Sequence, residues 1–277
     1  MQLAAKAVWV IERNLGSGLT LNGIAESCRV SPFHLAHAFG AATGQPAMSY
    51  VRSRRLSEAA CKLADGAPDI LEVAFDSGYA SHEAFTRAFK EQFGTTPETV
   101  KRNRSTSSLA LVPPLKLPEG PPVKLDEPEI VKGDAISVVG LAERHAFDAP
   151  HKIPAQWQRF MAIYSLIERK ASEIPVGVSC NLDEDGTFEY VCGVEVARGC
   201  DVPNGLQKIA IPAQTYAVFQ HLTHVAGIGN TYLAIWNSWL TDHNRTVANG
   251  PSIERHKKTF DPRTGEGGVE IWIPLAK

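Results

Sequence analysis

The 277-residue sequence predicts an all-α half joined to an α+β half, and three observations carry that prediction. A helix-turn-helix pattern occurs twice in the first hundred residues, about fifty positions apart. A Ser- and Pro-rich stretch then interrupts all periodicity. Beyond it, β-branched and aromatic runs alternate with two long helical patterns. A hydrophobic content of 44% over this length allows each half its own core.

In chain order, "LAAKAVWVIERNL" reads as an amphipathic first helix, because Lys6, Glu12 and Arg13 interrupt it and exclude a signal peptide. A short helix, "LNGIAESC", then meets a turn at Arg29–Val30 and a second helix opened by Ser31 as N-cap. The same arrangement returns as "DILEVAFDS", a turn over Gly78 to Ala80, and a helix opened by Ser81. Ser31, Leu35, Phe39 and Gly44 each precede Ser81, Phe85, Phe89 and Gly94 by fifty positions, which marks an internal duplication. In the second copy Ala84, Phe85, Ala88, Phe89 and Phe93 form the buried face, and Gly94 with Pro97 ends the helix.

A short helix, a tight turn and a helix with polar residues at its start is the pattern whose second helix enters the DNA major groove. The expected contacts to bases and phosphates are Ser31, Phe33, His34 and His37 in the first copy. In the second they are Ser81, His82, Glu83, Thr86, Arg87 and Lys90, with Arg54 from the basic "RSRR" cluster. Residues 1–104 hold twelve Lys/Arg and ten Asp/Glu, net +2, whereas the remainder holds sixteen and twenty, net -4. A second basic cluster, "KRNR", closes that first half, although a short charge run is often only a solvated face.

Residues 1–104 resemble the DNA-binding domain of the AraC/XylS transcription factors. The resemblance runs through "YVRSRRLSEAACKLADG" to "DILEVAFDSGYASHEAFTRAFKEQFGTTPETVKR", including Gly78-Tyr79, Arg87, Phe89-Lys90, Phe93-Gly94 and Pro97. It implies a bacterial, cytoplasmic, sequence-specific regulator that binds double-stranded DNA and meets RNA polymerase. Where that family presents polar and basic residues in its first recognition helix, this sequence has Ala36, His37 and Gly40. We therefore expect the second helix to carry more of the discrimination, through Arg87 above all, and the first mainly to dock on the DNA. Two readers in one chain allow a monomer on DNA, and a homodimer is equally compatible.

Residues 105–122 form the expected linker, rich in Ser and then Pro. The C-terminal half, 123–277, has strand runs in "AISVVGLAERHAF", "IPVGVSCNL", "TFEYVCGVEVA", "LQKIAIPAQTYAVFQHL" and "GGVEIWIPL". Helical patterns fall in "IPAQWQRFMAIYSLIERKA" and "IGNTYLAIWNSWLTDHN". The order strand, helix, strand, strand occurs twice, the second copy beginning near Ile209, which predicts an antiparallel sheet with helices on one face. Five cysteines, odd in number and without a C-x-x-C pair, suit a reducing compartment and argue against a zinc site. Cys192 and Cys200 read as buried, inert thiols.

This half resembles the GyrI-like effector-binding domain, through "FEYVCGVEV", "IPAQTYAVFQH", "YLAIWNSWL", "SIERH" and "VEIWIPL". The resemblance implies a small-molecule pocket with Glu195 and Glu254 at the family's acidic positions; His256 stands where the family has an aromatic. Trp157, Tyr190, Tyr216, Phe219, Tyr232, Trp236 and Trp239 are the candidate aromatic walls, and carboxylates among such faces suit a lipophilic cation. Plain core packing of the aromatics, and pairing of Glu254 with Arg255, Lys257 or Lys258, stay open. No cofactor, metal set, membrane span or catalytic constellation is legible, so the expectation is a sensor and not an enzyme. The alternatives are a hydrolase or a protein-interaction module attached to a constitutive DNA binder.

Overall fold

The computed structural model describes every residue except 1, 17, 68, 118–122, 148, 184, 185 and 277. The chain forms two compact units that do not follow sequence order. One comprises Leu3–Pro32 with Ala47–Pro118, and the other Phe33–Pro46 with Glu119–Lys277. The helical N-terminal region and the mixed strand-and-helix C-terminal region agree with the predicted all-α plus α+β class.

The seven N-terminal helices are α1 (Leu3–Arg13), α2 (Leu21–Cys28), α3 (Pro32–Thr43), α4 (Ala47–Ala64), α5 (Ile70–Asp76), α6 (His82–Phe93) and α7 (Pro97–Asn103). All except α3 lie in the first unit. Local chemistry explains their ends. Thr20 caps α2 by accepting from the Gly23 amide (3.1 Å), and Asp69 caps α5 by accepting from that of Leu71 (2.9 Å). Ser81 caps α6 by accepting from the Ala84 amide (3.2 Å), and Gly94 ends that helix at φ 69°. The turn into α6 needs Gly78, at φ 81°, since a Cβ there would also meet the Arg55 guanidinium at 2.8 Å. Phe85, Phe89, Leu56, Leu63 and Val100 centre the core, and the Phe89 ring meets that of Phe85 tilted and that of Phe93 edge to face along α6.

The described part of the 105–122 segment is extended and tied down; its last five residues, 118–122, lie outside the described residues. Leu109 and Leu111 pack on the core of the first unit, the Val112 amide donates to Ser57 (2.9 Å), and the Leu115 amide donates to the Tyr50 hydroxyl (3.0 Å). Proline and apolar residues thus make an edge strap up to there, anchored through its free amides.

The second unit holds one antiparallel eight-stranded sheet: β1 (Glu129–Gly133), β2 (Ile136–Ala146), β3 (Lys170–Cys180), β4 (Thr187–Val196), β5 (Gln207–Ile211), β6 (Gln214–His221), β7 (Ser252–His256) and β8 (Val269–Leu275). Its order, β1-β6-β8-β7-β3-β4-β2-β5, is symmetric about the β3/β7 pair. The two copies are β2-helix-β3-β4 and β6-helix-β7-β8, as the sequence predicts, and β1 and β5 each cross to edge the other copy. The predicted run "LQKIAIPAQTYAVFQHL" breaks at Pro212-Ala213 into β5 and β6. The helices are α8 (Ile153–Ile163) and α9 (Ile228–Ala234), and α9 runs on through a wide π turn, Ile235–Trp239, to Asp242.

Candidate DNA-reading and effector sites

On α6, Glu83, Arg87 and Lys90 are exposed at i, i+4 and i+7, so they share one outward stripe. The helix N-terminus shapes that stripe: the Glu83 carboxyl is held below its usual range by its own backbone amide and then by the Ser81 hydroxyl. His82 reaches across to Glu98 on α7 (3.2 Å). Thr86 has a buried hydroxyl with no partner among the described residues, at the edge of the stripe. The residues expected to read DNA from the second motif therefore lie together, apolar side inward and charged side outward.

Three other expected DNA contacts are placed elsewhere. Arg54 is buried inside the first unit, where it donates to Glu12 (2.9 Å), Glu58 (2.8 Å) and the Val112 carbonyl (2.9 Å). Its guanidinium is a structural clamp and is not available to phosphate; burial opposes its charge, and the Glu12 and Glu58 hydrogen bonds more than offset that. His34 and His37 on α3 are turned inward. The His34 Nε2 donates to the Trp236 carbonyl (2.7 Å), and burial pushes the His37 imidazole down to about 3. Phe33 is half-buried, its ring 4.4 Å from that of His37, and Ser31 is half-buried before the helix.

The expected effector residues divide between the two faces of the sheet, because strand side chains alternate. On the helix-covered face, Glu254 of β7 accepts from the Tyr190 hydroxyl of β4 (2.6 Å) and the Tyr232 hydroxyl of α9 (2.8 Å). Trp157 of α8 donates its indole N–H to Tyr190 (3.3 Å) and meets His256 edge-on at 5.0 Å. Gly177, opposite Glu254 on β3, makes room: a Cβ there would fall 2.2 Å from the Tyr190 hydroxyl. Burial and then the Glu254 charge push both phenols well above their usual range, so they stay protonated donors. Burial lowers the His256 imidazole, whose Nδ1 donates to the Pro175 carbonyl (3.2 Å). One carboxylate thus stands among four rings, its two oxygens each oriented by a phenol.

The other face carries Glu195 and Tyr216, beside a cleft of about 330 Å³. Here Glu195 pairs with Arg255, whose guanidinium lies 4.7 Å over the Trp272 ring. The charge of Glu195 is therefore answered by the protein itself, and Arg255 is taken up by Glu195, not by Glu254. Phe219, opposite Ile271 as Glu254 is and so on the face of Glu254, packs edge to face with Trp239 at 5.0 Å in the core. Trp236 lies against α3. Tyr232, one of the aromatics expected from the sequence, is the one on the "YLAIWNSWL" run that reaches Glu254.

Residues 126–276 match the model of the GyrI-like small molecule binding domain, more than half the sequence. The chain belongs to the GyrI-like family. Residues 24–103 of this GyrI-like protein match a helix-turn-helix domain, of the AraC type. It is 25% identical to the transcriptional regulator Rob of Salmonella typhimurium and 26% identical to the right origin-binding protein of Escherichia coli, in each case over 98% of this chain and 96% of the relative. It is 31% identical to the transcriptional regulator BrlR of Pseudomonas aeruginosa over 53% of this chain and 54% of that one. The GyrI-like protein is an AraC-type DNA-binding transcriptional regulator. Among the described residues no helix is long and apolar enough to cross a membrane.

Proposed function

We propose that a small lipophilic cation, bound at Glu254, sets how this regulator engages DNA through α6. The observation behind this reading is the Glu254 carboxylate, fixed by the Tyr190 and Tyr232 hydroxyls and walled by Trp157 and His256. A half-buried carboxylate with its hydrogen bonds already made repels anions and gives neutral ligands no polar gain, whereas a delocalised cation gains from both charge and ring faces. On the DNA side, Arg87 supplies bidentate base contact, and Glu83 and Lys90 flank it on the same stripe. RNA polymerase is the protein partner of such an arrangement, met by a monomer or a homodimer on the operator.

Thermal melting of the full chain tests the effector half. A quaternary aromatic ammonium at a hundred times its Kd should stabilise the protein by about 2.7 kcal/mol, and a neutral or anionic analogue should not. In Glu254→Gln that stabilisation should vanish while the melting temperature without ligand changes little, because Gln still accepts from one phenol. Equal stabilisation of both proteins would put the ligand elsewhere, the 330 Å³ cleft beside Glu195 being the next place to look.

A further inference from the structure

The duplication assigns each residue of α3 a counterpart in α6. Phe33, His37 and Gly40 stand fifty positions before Glu83, Arg87 and Lys90, the outward stripe. In α6 that stripe is charged and exposed. In α3 it is apolar or uncharged, and Trp236 and Phe147 of the same unit cover it. The His37 ring lies 4.4 Å from the Trp236 ring and 6.1 Å from Phe147. At Gly40 a Cβ would fall 2.4 Å from the Phe147 ring, closer than any side chain is tolerated.

Polar contacts fix the helix there as well. The π turn after α9 sends the Leu240 amide to Ile235, one residue beyond its α-helical partner, which releases the Trp236 carbonyl from the ladder. His34, 3% exposed, donates its Nε2 to that carbonyl at 2.7 Å. Asn237, 1% exposed, donates to the Ala38 carbonyl at 2.9 Å. A helix without a carboxylate, lysine or arginine and with apolar residues all round it, as "PFHLAHAFGAAT" is, has the composition of a covered element more than that of a DNA reader. The same helical run also places Tyr232 on Glu254, one turn before Trp236.

We infer that α3 is a docking helix held by Trp236, Asn237 and Phe147, and that this protein in the held state reads DNA with α6 alone. The inference rests on the reading of α6 as the base reader and adds that the second reader of the duplicated pair is withheld.

The test uses the full chain and two variants. Gly40→Lys forces a side chain against Phe147 and supplies α3 with the counterpart of Lys90. Asn237→Asp sets a carboxylate against the Ala38 carbonyl and touches neither α6 nor Glu254. Amide exchange over residues 33–43 should be slow in the wild type and about tenfold faster in both variants. Duplexes enriched from a random library by the wild type should share one block of sequence. Those enriched by Gly40→Lys should share two, about 10 base pairs apart. Unchanged exchange in both variants, or a two-block motif already in the wild type, overturns the inference. If none of the proteins enriches a motif, the α6 reading is at fault, and the exchange data still decide where α3 is held.

Discussion

Helices α3 and α6 began as copies of one element and now do different things. Their inner faces have both kept large apolar residues: Leu35 and Phe39 match Phe85 and Phe89, and all four are fully buried. Their outer faces have nothing in common. One shows Glu83, Arg87 and Lys90 to solvent, and the other turns His37 and Gly40 against aromatic rings. The difference teaches which positions of a duplicated motif are free to change. Burial of about the same apolar volume is required of both copies. The outward positions carry no such demand, so one copy can keep its charges while the other becomes apolar and is covered.

The largest expected effects test where the copies remain equal. Phe39→Ala and Phe89→Ala should each cost about 3–5 kcal/mol of stability, since each removes a fully buried ring. Urea unfolding of the two variants measures this. A loss at Phe89 with none at Phe39 would break the equivalence of the inner faces.

Two arginines sharpen the comparison between inward and outward charge. Arg54→Ala leaves the half-buried Glu12 without its cation and should cost about 3 kcal/mol. The loss should depend on pH. Burial raises the Glu12 carboxyl, but hydrogen bonds from Arg54 and Tyr50 and the Arg54 charge outweigh it, so the folded value lies below the unfolded one. Such a group adds stability above the unfolded value, and that stability is lost as pH falls through the folded value. Wild type should therefore lose stability more steeply than Arg54→Ala below about pH 4.5. A constant gap between them down to pH 3 would show that Glu12 is not the partner that matters. Arg87→Ala is the converse case. It should leave stability within about 0.5 kcal/mol, because the side chain is exposed, and should weaken operator binding by about 1–3 kcal/mol. Filter binding at one fixed salt concentration separates the two arginines.

Much of this was legible before any coordinates. The duplication, the caps at Ser81 and Gly94 and the pair of strand-helix-strand-strand copies follow from local chemistry and period, and the structure has them. What could not be read depended on residues distant in the chain. "RSRR" looks like a surface cluster until Glu12 and the Val112 carbonyl arrive at Arg54 from 42 and 58 positions away. Glu195 and Glu254 look like twins, yet they stand on opposite faces of the sheet and only Glu195 meets an arginine. The pairing of Glu254 with two phenols needs β4, β7 and α9 at once, and no spacing along the chain encodes it.

Ser81 gives the smallest expected effect and separates two roles that one residue can hold. As the N-cap of α6 it accepts from the Ala84 amide, and it also steadies Glu83 on the reading stripe. Ser81→Ala should cost about 1 kcal/mol of stability by leaving a helix amide without its acceptor. Asn is as good a cap as Ser but differs in shape and donors at the DNA surface. If Ser81 acts only as a cap, Ser81→Asn restores both stability and DNA affinity. If the hydroxyl itself touches DNA, Ser81→Asn restores the urea midpoint while affinity stays low, and the reading stripe then extends two residues before Glu83 to the very start of α6.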